Sequence, residues 1–283
     1  MNYTIITAAK NEEKYISKTL ESVTNQQILP VEWVIVNDGS TDTTAEIIKE
    51  YASRFPWIIQ IDLNNYKPEL KSTGGRVASL LNIAAKRITK QYDIITKLDA
   101  DTEFDNTFFS NLLAQFNKNN KLGVASGTLV YEGKIEKIDY NSSVTRGAVM
   151  LIKNEVFKQT NGFFEANGNG EDSLLTLAAR YFGWETKSYP IYFNHLKPEG
   201  IKNSSFFSAY ITGFHKGSIP YRFDFFLLTQ IKHIIKKPYL IGTLLQIWGY
   251  LYSRIILRYR PYPKYVKIQK HKEQKEQIKI IKS

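Results

Sequence analysis

A chain of 283 residues with 43% apolar and 13% aromatic side chains can bury a full core, which excludes an intrinsically disordered protein. Cysteine is absent, which excludes a disulfide scaffold, thiolate metal sites and a cysteine nucleophile and fits a reducing compartment. The net charge of +11 is localised: residues 232–283 hold 13 Lys and Arg against 2 Glu, while the remaining 231 residues carry 25 charges of each sign, so a uniformly basic nucleic-acid surface is excluded.

The N-terminal stretch MNYTIITAAKNEEKY enters a strand pattern directly, with no long apolar segment of the kind that directs secretion, and a cytoplasmic enzyme is expected. Apolar runs of strand length follow at Tyr3 to Thr7, Trp33 to Asn37, Ile58 to Asp62 and Ile94 to Leu98. Helical patterns separate them. Glu12 to Thr24 repeats Ile16, Leu20 and Val23, with Asn11 as its N-cap; Asp42 to Arg54 places Ala45, Ile48 and Ala52 on one face; Gly75 to Ile88 is apolar through Val77, Leu80, Leu81, Ala84 and Ala85. This β-α-β rhythm predicts parallel strands with right-handed crossovers, a nucleotide-binding type of α/β fold. After Asp101 the rhythm loosens: Leu122 to Val130 and Ala148 to Ile152 read as strands, Ser173 to Phe182 as a helix and Thr186 to Phe193 as a further strand.

The fourth strand ends in Asp99-Ala100-Asp101, two carboxylates one residue apart. In an open α/β sheet ligands sit outside the carboxyl ends of the strands, and hard carboxylate oxygens there suit Mg²⁺ or Mn²⁺ and, through the ion, phosphate. Asn37-Asp38-Gly39-Ser40-Thr41-Asp42 follows the second strand, where Asp38 can accept hydrogen bonds from a nucleoside and Ser40, Thr41 and Asp42 offer capping oxygens; a plain capped turn is the bland alternative. Lys10 and Glu12 form a polar cluster after the first strand, and Arg76 opens the third helix, where a guanidinium assists an anion site. Asp172, at the loop-to-helix junction Gly168-Asn169-Gly170-Glu171-Asp172, is either a general base or an ordinary helix-start acid. His195 ends a strand and can lend a neutral imidazole to the same metal, although isolated histidines are more often structural.

Taken in order, TIITAAKNEEKYI (4 to 16), WVIVNDGSTDTT (33 to 44), DIITKLDADTEF (93 to 104), GEDSLLTLAARYFGWET (170 to 186) and HLKPEG (195 to 200) resemble the family 2 glycosyltransferases with the GT-A fold, and the tail YPKYVKIQKHKEQ resembles a bacterial branch that builds surface polysaccharides. The resemblance implies a GT-A catalytic part over 1–220, split into a nucleotide-sugar half (1–101) and an acceptor half (102–220), followed by a basic, aromatic helical segment over 221–283. It implies that Asp38 binds the base or ribose of a nucleotide sugar, with Ala8, Lys10, Glu12, Arg76 and Ala100 in the same pocket. Asp101 would hold the metal directly and Asp99 the ribose or a metal-bound water, with His195 as a further ligand and Asp172 as the base of an inverting transfer. The chain departs from the pattern at Ala8, where relatives often carry Pro, and at Gly170-Glu171, where the nearest branch tends to have Gly-Trp.

Within YRFDFFLLTQIKHIIKKPYLIGTLLQIWGYLYSRIILRYR (221 to 260), 16 uncharged residues lie between Lys237 and Arg254, short of the roughly 20 that span a bilayer. An interfacial or re-entrant helix pair at the inner face of the cell membrane, with basic flanks on anionic lipid, is expected, against the alternative of a helical subdomain packed on the core. The partners expected are a nucleotide-diphosphate sugar, a saccharide or lipid-linked acceptor and an anionic membrane. Asp99-Ala100-Asp101-Thr102 also matches the nucleophile motif of haloacid-dehalogenase-type phosphatases, but there the motif ends the first core strand, and three strands precede it here. A non-catalytic sugar-nucleotide-binding scaffold is the third possibility.

Overall fold

The structure, a computed structural model, describes residues 1–63, 73–140, 142–165, 170–197, 205–234, 239–255 and 262–282. Gly168 and Asn169 of the expected acceptor loop, residues 198–200, and Lys236 and Lys237 of the basic tail lie outside the described residues. Its elements, in chain order, are β1 (Tyr3–Ala9), α1 (Ile16–Thr24), β2 (Glu32–Asn37), α2 (Thr44–Arg54), β3 (Ile58–Asp62), α3 (Thr73–Arg87), β4 (Ile94–Leu98), β5 (Thr102–Phe104), α4 (Phe108–Lys118), β6 (Leu122–Tyr131), β7 (Lys134–Ile135), β8 (Val149–Lys153), α5 (Asn154–Thr160), α6 (Glu171–Tyr181), β9 (Glu185–His195), α7 (Ser205–Ser218), α8 (Phe223–Ile234), α9 (Tyr239–Ile255) and α10 (Lys264–Lys282). They divide into two compact units: Met1–Glu69, Ser79–Phe163 and Phe182–Pro198 form the first, and Leu70–Ala78, Phe164–Tyr181 and Glu199–Ser283 the second.

The first unit is built on a nine-stranded sheet of order β3-β2-β1-β4-β8-β6-β9-β5, with β7 paired to β6. Strands β1 to β4 are mutually parallel, as the alternating pattern predicts. Every residue of β2 and β4 is buried, as expected of parallel strands covered on both faces. The order reverses between β1 and β4, which creates the switch point where such sheets bind ligands. Beyond β4 the sheet is mixed: β8 runs antiparallel to β4 and β6, and β9 runs parallel to β6 and antiparallel to β5.

Side-chain size and polarity explain the packing. Trp33 is fully buried yet keeps its indole N–H satisfied by Thr7 Oγ1 at 2.9 Å, and buried Tyr3 donates to the Ile28 carbonyl at 2.7 Å. The spacing Phe108, Phe109, Leu112, Leu113, Phe116 makes one face of α4 apolar, and all five are buried. Each fully buried Phe ring there contributes about 1.5–3 kcal/mol. At Gly127 a Cβ would lie 2.5 Å from the Ile191 carbonyl oxygen and 2.9 Å from the Phe108 ring, so glycine is required where β6 shifts register against β9.

Four helix starts differ from the sequence expectation: α3 begins at Thr73 rather than Gly75 and α6 at Glu171 rather than Ser173, and the other two have a visible cause. Helix α1 begins at Ile16 rather than near Glu12, because Asn11 takes the left-handed conformation (φ 54°) and residues 12–15 form a turn with Tyr15 N–H on the Glu12 carbonyl at 2.9 Å. Asn11 does not cap α1: its side-chain oxygen accepts from the Thr41 N–H at 2.9 Å. Helix α2 begins at Thr44; Asp42 Oδ1 accepts from Thr44 N–H and Oγ1, whereas Ser40 Oγ accepts from Asn11 N–H.

In the second unit, Leu174, Leu177 and Ala178 of α6 form a small core with Phe164 and Val266 of α10, reinforced by Arg180 on Glu273 at 2.7 Å. Helices α7 and α9 approach to backbone contact through three glycines. A Cβ on Gly213 would lie 1.9 Å from the Gln246 carbonyl oxygen, one on Gly217 2.6 Å from the Tyr250 oxygen, and one on Gly249 2.2 Å from the Tyr210 oxygen. Because backbone cannot swing aside, Gly213→Ala is expected to destabilise this unit by about 1–3 kcal/mol. A lowered denaturation midpoint checks it; an unchanged midpoint would remove the close approach.

Candidate metal and nucleotide site

At the carboxyl ends of β1, β2 and β4, loops from distant parts of the chain are tied together by side chains that reach across. Asn11 N–H donates to Ser40 Oγ at 3.0 Å, Glu12 N–H to Thr44 Oγ1 at 2.8 Å, and Thr43 Oγ1 to Glu13 Oε2 at 3.0 Å. Asp38, 3% exposed, follows β2 with its N–H on the Ala9 carbonyl, and Lys10 Nζ lies 3.5 Å from its Oδ2. Half-buried Ala8 sits one residue before the end of β1. The expected nucleoside-binding residues Ala8, Lys10, Glu12 and Asp38 thus share one rim.

The Asp-x-Asp turn beyond β4 is held by main-chain and hydroxyl contacts. Asp99 N–H bonds the Ala148 carbonyl at 2.8 Å, and Thr102 Oγ1 donates to the Asp99 carbonyl at 3.0 Å. Buried Thr19 of α1 accepts from Thr102 N–H at 3.1 Å and lies 2.9 Å from the Ala100 carbonyl and 2.8 Å from that of Thr102. From there the chain enters β5, whose antiparallel register sets Thr102 opposite His195 of β9. Leu196 N–H then closes on the Asp101 carbonyl at 2.8 Å. This pairing brings Asp99, Asp101 and His195 together, with one donor atom from each inside a set whose members all lie within 4.8 Å of one another.

The electrostatics of the set favour a cation. His195 Nδ1–H donates to the Lys197 carbonyl at 3.0 Å, which orients the ring and turns Nε2 toward the set. Nε2 lies 3.5 Å from Asp101 Oδ2. Burial pushes the Asp101 carboxyl up to about 6, against His195 and Lys197, which lower it, and with Asp99 and Glu12 adding to the rise. Glu12 Oε1 is paired with Lys197 Nζ at 2.5 Å, while its buried Oε2 has no hydrogen-bond partner among the described residues. Two carboxylates and an imidazole in this state fit Mn²⁺ or Mg²⁺.

Two expected site residues belong to the second unit. Arg76 is half-buried in the first turn of α3. Asp172 is in the first turn of α6, with Oδ1 accepting from Ser173 N–H at 2.6 Å, and the Gly170 carbonyl accepts from Leu174 N–H at 2.8 Å. Three residues of the first unit went unnoticed in sequence. Thr19 carries no recognisable pattern. Lys197 stands two residues after His195 without a motif of its own. Lys97 did leave a signal, as the one charge inside the otherwise uncharged strand Ile94-Ile95-Thr96-Lys97-Leu98.

A family model described as glycosyl transferase family 2 matches residues 4–179. The chain belongs to that family. The matched span includes every expected site residue except His195. Family membership, together with β4 standing fourth among the parallel strands, sets aside the phosphatase reading.

Among characterised relatives, the poly-beta-1,6-N-acetyl-D-glucosamine synthase of Staphylococcus epidermidis is 27% identical over 205 residues, covering 65% of this chain and 47% of the relative. The synthase of the same name from Staphylococcus aureus strain COL is 27% identical over 208 residues, with 66% and 48% covered. This chain therefore spans about half the length of the curated relatives it matches. Among solved structures, S. aureus TarS 1-349 superposes with a TM-score of 0.61 at 16% identity, covering 95% of this chain and 88% of that one. The mannosyltransferase PcManGT from Pyrobaculum calidifontis, in complex with GDP-Man and Mn²⁺, gives 0.58 at 18% identity, with 91% and 74% covered. These likenesses establish the GT-A fold that the sequence resemblance implies.

Replacing Thr19 by Val keeps its shape but strands the Thr102 N–H and two carbonyls beneath the Asp-x-Asp turn. A loss of about 1–3 kcal/mol in urea denaturation is expected, with Thr19→Ser retaining most of the stability. Equal stability of the Val and Ser variants would discount the hydroxyl.

Proposed function

We propose that this chain is a metal-dependent, inverting glycosyltransferase that moves a sugar from a nucleotide-diphosphate donor to an acceptor hydroxyl in surface polysaccharide or glycolipid synthesis. The observation that carries the reading is the convergence of Asp99, Asp101 and His195 within 4.8 Å at the edge of a family 2 domain. These side chains would hold Mg²⁺ or Mn²⁺, which would offset the charge that gathers on a departing nucleoside diphosphate. Asp38, beside Lys10, accepts hydrogen bonds from the nucleoside, with Ala8, Glu12 and Ala100 around it, and Arg76 contributes positive charge toward the diphosphate. Asp172 takes the proton of the acceptor hydroxyl while that oxygen attacks the anomeric carbon from the face opposite the nucleotide. The bond from that carbon to the diphosphate breaks, and its configuration inverts. UDP-N-acetylglucosamine is the first donor to test, since relatives are named as poly-N-acetylglucosamine synthases and TarS has been solved with that sugar nucleotide.

The acceptor side of the reading places residues 1–220 in catalysis and 221–283 at the cytoplasmic face of a membrane. Support comes from an inverted polarity in the second unit. Helix α8 exposes Phe223, Leu227 and Ile231 at four-residue spacing and buries Phe226 and Gln230. Helix α9 exposes Leu240, Ile241, Leu244, Trp248 and Ile255 while burying Thr243, Gln246 and Ser253. Apolar side chains turned outward in registered stripes suit an apolar partner, and the 13 Lys and Arg of residues 232–283 suit anionic headgroups. No described helix is long and apolar enough to cross a membrane, which fits contact at the surface.

Asp172→Asn is expected to lower transfer by about 10²–10⁴-fold with nucleotide binding largely kept. Turnover near that of the unaltered chain would remove Asp172 as the base. Asp101→Ala should lose metal-dependent nucleotide binding in calorimetry; equal affinity with and without metal would count against the site. In flotation assays the chain should rise with anionic but not zwitterionic vesicles, less so after Leu244→Ser with Trp248→Ser, and failure to float with either would favour a subdomain that contacts no lipid.

A further inference from the structure

The helix that carries Asp172 is held in place by the basic tail. In α6 the run from Leu174 to Ala179 is buried without a break, so this helix needs packing partners on every side. Helix α10 supplies one of them. Val266 sits in the core with Leu174, Leu177 and Ala178, flanked by half-buried Tyr262 and Tyr265. At the last turn of α6, Arg180 Nε donates to Glu273 Oε1 at 2.7 Å and Nη2 to Glu273 Oε2 at 3.2 Å, a two-pronged pair whose side chains are 17% and 23% exposed. Gln269, one turn back on α10, donates to the same Oε1 at 2.8 Å, and the Tyr181 ring stacks on Tyr265 with centroids 5.2 Å apart. Burial alone would raise the Glu273 carboxyl; hydrogen bonds from Arg180 and Gln269 hold it below the usual carboxylate range. The opposite face of α10 is a different surface, along which Lys264, Lys272, Lys275 and Lys279 are exposed.

At the other end of α6, the hydrogen bonding of Asp172 among the described residues stays within its own turn, with Oδ1 accepting from Ser173 N–H. The place of its carboxylate is therefore set by the axis and rotation of the helix. A helix is stiff, and Asp172 and Arg180 lie eight residues, about 12 Å, apart along it. A displacement of about 1 Å at a reacting group costs about 10²-fold in rate. We infer that Arg180 and Glu273 are positioning residues for the transfer: by clamping the last turn of α6 to α10 they fix the tilt and rotation of the helix, and with them the point at which Asp172 meets the acceptor hydroxyl. The inference rests on the reading of Asp172 as the base. It gives α10 a task that its charge pattern conceals, because Val266, Gln269 and Glu273 recur every three to four positions between the lysines.

The chain has no native cysteine, so a nitroxide on Ser173→Cys, an exposed position beside Asp172, reports on the start of α6 whatever donor the chain uses. Glu273→Gln is expected to increase the motion of that label, read from its electron paramagnetic resonance line shape, with urea denaturation showing that the variant is folded. With UDP-N-acetylglucosamine and Mn²⁺, and water standing in for the acceptor, UDP release by Glu273→Gln is expected to lose about tenfold in kcat with KM within about twofold. Arg180→Lys keeps the charge but not the fork, and is expected to lose about threefold. Exchange of the pair, Arg180→Glu with Glu273→Arg, should restore most of the rate and the order of the label. A pair that only stabilises the fold would lower the denaturation midpoint and leave both the label and the kcat of the folded protein unchanged. Unchanged label motion in a folded Glu273→Gln, or unchanged kcat where Asp172→Asn is inactive, overturns this inference alone. Turnover by Asp172→Asn near that of the unaltered chain overturns the base reading and this inference with it.

Discussion

The constraint that organises the first unit is the need to bring negative charge to a buried edge without letting it repel itself apart. Glu12, Asp38, Asp99 and Asp101 arrive there from the ends of three parallel strands, and the low polarity of the surrounding protein strengthens every charge interaction. Lysines stand beside these carboxylates: Lys197 pairs with Glu12, Lys10 with Asp38 and Lys97 with Asp99. Asp101 has the imidazole of His195 at 3.5 Å and the charge of Lys197 nearby. Burial nevertheless raises the Asp101 carboxyl most, and a cation held there would favour its charged form.

Long-range strand pairing builds that point. Strand β5 is only three residues long, yet it carries the chain from Asp101 to the far edge of the sheet and pairs Thr102 with His195, more than ninety positions away. The four parallel strands and the helix faces between them were legible from apolar periodicity, because each depends on a local repeat. So was the Asp-x-Asp turn, which needs only to follow a strand. The contact of His195 with Asp101 was not legible from spacing, since it comes from a register across the sheet. Asn11 misleads for a related reason: as a helix-start residue it has the right chemistry, but the neighbouring loop recruits its side chain first. Lys97 stood in view as the one charge in β4, and its meaning appeared only when Gly147 and Asp99 were found on either side of it.

The second unit obeys a different rule. Burying Thr243, Gln246, Ser253 and Gln230 while exposing Leu and Trp reverses the usual assignment, and small residues make the reversal feasible. Gly213, Gly217 and Gly249 let α7 and α9 meet at their backbones, so dispersion over a close surface replaces the area that large apolar side chains would bury. Close packing through small residues with polar groups enclosed is the pattern favoured when the solvent outside is itself apolar, because helix association then gains little from hiding Leu. The sequence signal here was mixed, since apolar and basic residues alternate too irregularly for a spanning segment, and hydropathy alone does not say which face of a short helix turns inward.

An acceptor delivered at a lipid surface would place its own demand on the chemistry. A soluble acceptor diffuses in three dimensions, whereas a lipid-linked one is confined to a plane, and docking the enzyme on that plane raises the local concentration of the acceptor without any new contact to it. The nucleotide-sugar donor proposed above would be small and water-soluble, and the charged rim of Asp38, Lys10 and the Asp-x-Asp turn would suit it. The chain thus divides into a charged sheet edge, whose polar groups suit a water-soluble ligand, and a helical unit with apolar side chains turned outward, which suit an apolar boundary.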